Sequence, residues 1–266
     1  MKAAPLIVHL PDARGVELSQ YGSGNLKLGF GVYTYSRLPG HPAEGELSVG
    51  GTCPGSTAEC EAICYAKRVR GIVRSVIWTR NGSDVVPPIP VDCQVLRIHV
   101  SGDFDSVAYI NNWEARLVER PDVTAWAYTR SWRVSELLPA LCRLQRLPNL
   151  QLFASMDPST QDVPPAGWRR AWIYRDKPNP HRLDDGDHGA WPVETRIIRG
   201  TMRHGLIDGD IAVWNSLFDG ELFRTLDGES AYVCPEETGK KANCLECGYC
   251  FRGKKHDVVF LEHGGK

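Results

Sequence analysis

Short apolar runs bounded by polar turns recur along the chain. Runs rich in β-branched and aromatic residues begin at Val95 (V-L-R-I-H-V-S), Val123 (V-T-A-W-A-Y-T), Leu150 (L-Q-L-F-A-S) and Arg170 (R-A-W-I-Y). Others begin at Ile211 (I-A-V-W), Ser230 (S-A-Y-V-C) and Val258 (V-V-F-L). Their length and composition predict strands. The first three are joined by S-V-A-Y-I-N-N-W-E-A-R-L-V-E-R from Ser106 and S-E-L-L-P-A-L-C-R-L from Ser135. Apolar residues in these two segments recur at i, i+3, i+4, the period of an amphipathic helix. The first helix stops at E-R-P-D, and the second carries Pro139 near its start. Strand, helix, strand, helix, strand predicts a parallel sheet with helical crossovers. No Gly-rich phosphate fingerprint follows a strand, so the expected architecture is a partial or full parallel α/β barrel, not an open dinucleotide-binding sheet.

Composition narrows this picture. At 266 residues and 42% hydrophobic content the chain can fill a sizeable core. Lys and Arg number 31 against 32 Asp and Glu, so overall charge does not mark a nucleic-acid binder. Basic clusters are local: Lys67, Arg68 and Arg70, then Lys240 and Lys241. The amino-terminal residues carry no apolar run of signal-peptide length, and no stretch approaches the roughly 20 apolar residues of a membrane span. The chain is expected in a cytoplasm, with no membrane partner. Residues 37–58 and 83–92 are rich in Pro and Gly, the second reading as a surface loop, and the polar stretch 175–189 reads as a long loop or lid.

Nine cysteines, an odd number without a secretion signal, argue for reduced thiols and metal ligation over disulfides. Cys93 and Cys142 stand alone and read as buried small hydrophobes. The other seven fall into two unlike groups. Cys53, Cys60 and Cys64 lie in C-P-G-S-T-A-E-C-E-A-I-C-Y, where the i, i+4 pair shares a helix face and Cys53 can fold back from a Pro-Gly turn. Three thiols without a local fourth suit a [4Fe-4S] cluster with one exposed iron, or a zinc site completed by a distant His or Cys. Cys234, Cys244, Cys247 and Cys250 form a C-x-x-C-x-x-C core with an upstream cysteine. That overlapping run favours ferredoxin-type ligation by a second [4Fe-4S] cluster over zinc. Residues 1–230 are therefore read as a barrel-like catalytic domain. Residues 231–266 are read as a cysteine-rich metal-binding extension packed on it.

Polar residues cluster after successive strands: Ser101, Gly102, Asp103 and Asp105; Tyr128, Arg130 and Trp132; Ser155 and Asp157; Tyr174, Arg175 and Asp176. Carboxyl ends of parallel strands are where barrel enzymes build their sites.

The segments G-N-L-K-L-G from Gly24, T-C-P-G-S-T-A-E-C-E-A-I-C-Y-A-K from Thr52, R-I-H-V-S-G-D-F-D-S from Arg97 and W-A-Y-T-R-S-W from Trp126 together resemble the gene-product-88 family of bacteriophage proteins. That resemblance implies a phage context and a host cytoplasm. A second resemblance is to radical S-adenosylmethionine enzymes, which carry three cysteines, often with an aromatic after the last, as Cys64-Tyr65 here. The spacing departs from theirs, with six and then three residues between cysteines. It implies S-adenosylmethionine as a small-molecule cosubstrate held by Ser101, Gly102 and Asp103. Their strand-end positions make Asp103, Tyr128, Arg130 and Asp157 the expected catalytic residues, and an iron–sulfur enzyme needs an external reducing partner. Together the two resemblances point to modification of a nucleotide or nucleic acid. Two other classes fit parts of the pattern. One is a zinc-containing base-exchange transferase of the 7-deazaguanine type, with Asp103, Asp105 or Asp157 as nucleophile and base. The other is a non-enzymatic nucleic-acid-binding module that stacks bases on Trp126, Tyr128 and Trp132 beside Arg130.

Overall fold

The computed structural model describes residues 20–42, 50–68, 73–157, 160, 162–174, 222–224, 230–236, 241–253 and 257–261. Within them one sheet runs through β1 (Gly22–Ser23), β2 (Val32–Tyr35), β3 (Val95–Ile98), β4 (Thr124–Thr129), β5 (Leu150–Met156), β6 (Arg169–Tyr174), β7 (Leu222–Arg224), β8 (Ser230–Val233) and β9 (Asp257–Leu261). The spatial order is β1-β2-β3-β4-β5-β6-β9-β8-β7. The seven strands from β2 to β8 in this order pair in parallel, and short antiparallel β1 and β7 close the two edges. Among the described residues no ladder joins those edges, so the sheet there is open and mixed α/β, and barrel closure is not seen. The segment 231–266 places β9 inside this sheet, between β6 and β8.

The helices are α1 (Ala58–Ile63), α2 (Val107–Glu119), α3 (Leu138–Leu144), α4 (Cys244–Cys247) and α5 (Tyr249–Arg252). The first two crossovers match the sequence pattern closely. Ser106 caps α2, accepting the Tyr109 amide, and the helix buries Tyr109, Ile110, Trp113 and Leu117. Pro139 sits in the first turn of α3, where a missing N–H costs nothing. Small Ala125, Ala127 and Ala154 on β4 and β5 leave room for these helices in the main core. Alternation sends Trp126 to a second cluster on the other face, with Phe251 and Val95, and Tyr128 packs against it. Both sheet faces are thus covered, as a parallel sheet requires. Cys93 is buried in the main core and Cys142 packs against it, in their expected role. The runs at Ile211 and at residues 175–189 lie outside the described residues.

Candidate active site at the strand ends

Three consecutive strand ends grip the loop that carries the first cysteines. After β3, the Asp103 amide donates to Thr52 Oγ1 at 3.2 Å. After β4, Gly55 packs so tightly on Arg130 that a Cβ there would lie 2.1 Å from its carbonyl oxygen. Arg133 also donates to the Gly55 carbonyl, at 3.0 Å. After β5, Asp157 accepts the Thr57 hydroxyl at 2.6 Å. Thr57 is the N-cap of α1 and accepts the Cys60 amide at 3.0 Å. The loop itself returns to the strand-end region through Thr52 N to Leu38 O and Cys53 N to Gly40 O.

Gly102 makes this approach possible. Its φ is +79°, and a Cβ would come within 2.7 Å of both Arg37 Cβ and Thr52 Oγ1. Ser101 fastens the same turn by donating to the Arg37 carbonyl at 2.9 Å.

The carboxylates are held on both oxygens. Asp103 Oδ1 accepts Thr129 Oγ1 at 2.6 Å and the Phe104 amide at 2.8 Å, and Oδ2 accepts the Arg130 amide at 2.7 Å. Burial outweighs these donors and raises its pKa from 3.8 to about 6. Asp157 Oδ2 pairs with Arg130 Nη1 at 2.7 Å, with both side chains buried, and Oδ1 accepts Thr160 Oγ1 at 3.0 Å. Arg130 Nη2 is buried with no partner among the described residues, and so is Ser56 Oγ. Asp105 belongs elsewhere: it pairs with the buried Arg37 guanidinium, which lies 4.0 Å from the Tyr109 ring.

Cys53, Cys60 and Cys64 are free thiols, and charge on Cys64 acts on both Cys53 and Cys60. Burial raises the Cys53 thiol well above its usual value, and the Asp103 charge adds to this. Burial also raises Cys60, opposed by Arg130. A thiolate on Cys53 or Cys60 is disfavoured by burial and by the neighbouring thiols, an opposition that a bound cation removes. Among the described residues no three His, Cys, Asp or Glu side chains stand ready-placed around a metal. His99 does not complete the trio. Its Nε2 meets Tyr109 Oη at 2.8 Å, and burial drives its pKa well down.

The second cysteine group lies on the sheet face that carries Trp126 and Phe153. Asn243 caps α4, accepting the Glu246 amide at 2.9 Å. The Cys244 and Leu245 amides donate to the Lys27 and Leu28 carbonyls at 2.8 and 3.0 Å. Cys250 packs with Cys234 in one cluster and with Cys244 in another, and is close enough to Cys247 to feel its charge. Tyr128 belongs here and not with the first group: its hydroxyl donates to Cys250 Sγ at 2.9 Å. The structure therefore brings together Ser101, Gly102, Asp103, Arg130 and Asp157 around the first loop and places Tyr128 on the other face. Trp126 and Trp132 are buried, so they form no base-stacking platform. Sequence reading missed Thr52, Gly55 and Thr57. A threonine immediately before a helical run is a capping signal that points to Thr57.

A family model described as Gene product 88 matches residues 90–253, a span that holds the three strand ends and the second cysteine group. The Gene 88 protein of Mycobacterium phage L5 is 36% identical over 241 residues, covering 79% of this chain and 82% of that protein. The Gene 88 protein of Mycobacterium phage D29 is 34% identical over 137 residues, covering 43% of this chain and 55% of that protein. No solved structure matches. Among the described residues no helix is long and apolar enough to cross a membrane.

Proposed function

The chain belongs to the gene product 88 family, and from that premise we propose that it is an iron–sulfur enzyme of the radical S-adenosylmethionine type that modifies a nucleotide or nucleic acid in the phage-infected host cytoplasm. Cys53, Cys60 and Cys64 hold a [4Fe-4S] cluster. Cys234, Cys244, Cys247 and Cys250 hold a second [4Fe-4S] cluster or zinc. The observation that carries the reading is the grip of Asp103, Arg130 and Asp157 on the loop bearing the first three cysteines. That grip holds the loop bearing the three thiols against the carboxyl ends of β3, β4 and β5, where parallel α/β sheets bind their ligands.

When bound, the cluster supplies one-electron reduction of S-adenosylmethionine, with the electron drawn from an external reducing partner. The chain's own residues do the rest. Asp103 holds the β4 end against the loop and sits beside the cosubstrate with Ser101 and Gly102. Arg130 keeps Nη2 as a buried unmet donor for a carboxylate or phosphate oxygen. Asp157 holds Arg130 in that orientation. The base-exchange transferase reading stands second, because both oxygens of Asp103 and of Asp157 already accept hydrogen bonds and neither carboxylate is a free nucleophile.

The test is anaerobic purification, iron and sulfide analysis, and incubation with S-adenosylmethionine and dithionite. A brown protein that releases 5′-deoxyadenosine, with release lost in Cys60→Ala, supports the reading. A colourless protein with stoichiometric zinc and no sulfide sinks it.

A further inference from the structure

The docked loop and the end of β4 each bury a polar atom that no described residue meets: Ser56 Oγ and Arg130 Nη2. We infer that these two donors bind the free oxygens of a phosphodiester, so that the strand-end site takes a nucleic acid strand by its singly charged backbone. Calling that ligand the substrate rests on the proposed function. The binding itself needs no metal.

Arg130 is only 4% exposed. Asp157 Oδ2 takes its Nη1 at 2.7 Å and so fixes the plane of the guanidinium. Nη2 is left as a donor, and an unmet donor in the interior is costly unless a ligand completes it. Ser56 stands between two residues tied to the same arginine. On one side Gly55 packs on the Arg130 carbonyl, with a Cβ there only 2.1 Å from the oxygen. On the other, the Thr57 hydroxyl donates to Asp157 Oδ2 at 2.6 Å, the oxygen that also holds Arg130. The Ser56 amide donates to the Cys53 carbonyl at 3.1 Å, which fixes its backbone and leaves the hydroxyl to turn. A guanidinium suits phosphate and carboxylate oxygens. Charge narrows the choice. Asp157 lies on Nη1 and Asp103 Oδ2 accepts the Arg130 amide at 2.7 Å, so a doubly charged phosphomonoester meets two carboxylates against one guanidinium. A phosphodiester carries one charge and keeps two free oxygens, one for each donor. A carboxylate shares that single charge, and the test separates the two. The donors lie at the carboxyl ends of β4 and β5, where α/β sheets bind their ligands. Both are buried with the loop docked, so the ligand reaches them as the loop lifts.

The test is equilibrium dialysis of the full chain against the dinucleotide thymidylyl-(3′→5′)-thymidine, with thymidine, thymidine 5′-phosphate and acetate as competitors. The variants are Ser56→Ala, which removes only the unmet oxygen, and Arg130→Lys, which keeps a cation for Asp157 and loses Nη2. Circular dichroism checks that each is folded. Wild type should bind the dinucleotide, and folded Ser56→Ala should bind it roughly ten- to a hundredfold more weakly, the span for a hydrogen bond to a charged group. Thymidine and thymidine 5′-phosphate should compete less well than the dinucleotide itself. Displacement by acetate at equal concentration would assign the donors to a carboxylate and overturn the inference. Absence of binding by wild type, or binding by Ser56→Ala equal to wild type, overturns it too. The outcome is independent of iron. A brown protein that ignores the dinucleotide loses this inference and keeps the radical reading, and a colourless one that binds it does the reverse.

Discussion

Thr57 donates its hydroxyl to Asp157 at 2.6 Å while accepting the Cys60 amide at 3.0 Å, so one side chain ties the end of β5 to the cysteine helix 100 residues earlier. Replacing Thr57 by Val keeps the shape and removes both bonds. Loss of a helix cap costs about 0.5–2 kcal/mol, and the lost bond to the buried carboxylate adds to that. Urea unfolding of Thr57→Val should show this loss, and Thr57→Ser should recover most of it. Equal stability of all three proteins would mean that the tie does not form in solution.

Gly55 tests the same docking by steric means. A methyl group at this position meets the Arg130 carbonyl oxygen at 2.1 Å and its carbon at 2.5 Å, both backbone atoms that cannot swing away. Gly55→Ala should displace the loop and lose iron from the first centre. Zinc or iron at the second centre should be kept, since Asn243, Lys27 and Leu28 hold that segment independently. Overpacking of this kind costs about 1–3 kcal/mol, within reach of a folded protein. Simultaneous loss of both metals in Gly55→Ala would show that the two segments do not fold independently.

Asp103 gives a pH dependence of defined sign. Its folded pKa of about 6 exceeds the ordinary 3.8 because it is buried. The folded state therefore holds the proton more tightly than the unfolded state does. Its contribution is fully present below the unfolded value and is lost as pH rises through the folded one. The unfolding free energy of wild type relative to Asp103→Asn should fall by up to about 3 kcal/mol between about pH 4 and pH 7. A flat difference would place the carboxyl in a more solvated setting than the structure gives it.

The regular elements were legible where burial and period agreed. The runs at Val95, Val123 and Leu150 became β3, β4 and β5, and the helix from Ser106 became α2, because each has one strongly apolar face that the fold covers. β2 was missed. V-Y-T-Y is only four residues long and lies between glycine-rich turns, so its pairing with β3 comes from the sheet and not from local pattern. The clustering of polar residues at strand ends pointed to Asp103, Arg130 and Asp157. Thr52 and Gly55 were hidden because contacts across 50 to 75 residues leave no local period, and the capping signal at Thr57 marks its helix but not its bond to Asp157. Tyr128 was grouped with Arg130 by adjacency in sequence. Strand alternation would put the two on one face, but β4 ends at Thr129 and Arg130 takes up an αR conformation, so only Tyr128 faces Cys250.

The central claim is that Cys53, Cys60 and Cys64 hold one iron–sulfur centre over the strand ends. Anomalous diffraction at the iron edge, from crystals grown without oxygen, tests it most directly. The account predicts an iron peak bonded by these three sulfurs beside Arg130 and Asp157, with one iron free of protein ligands. An absence of iron there, or a zinc ion closed by a fourth protein ligand, would contradict it.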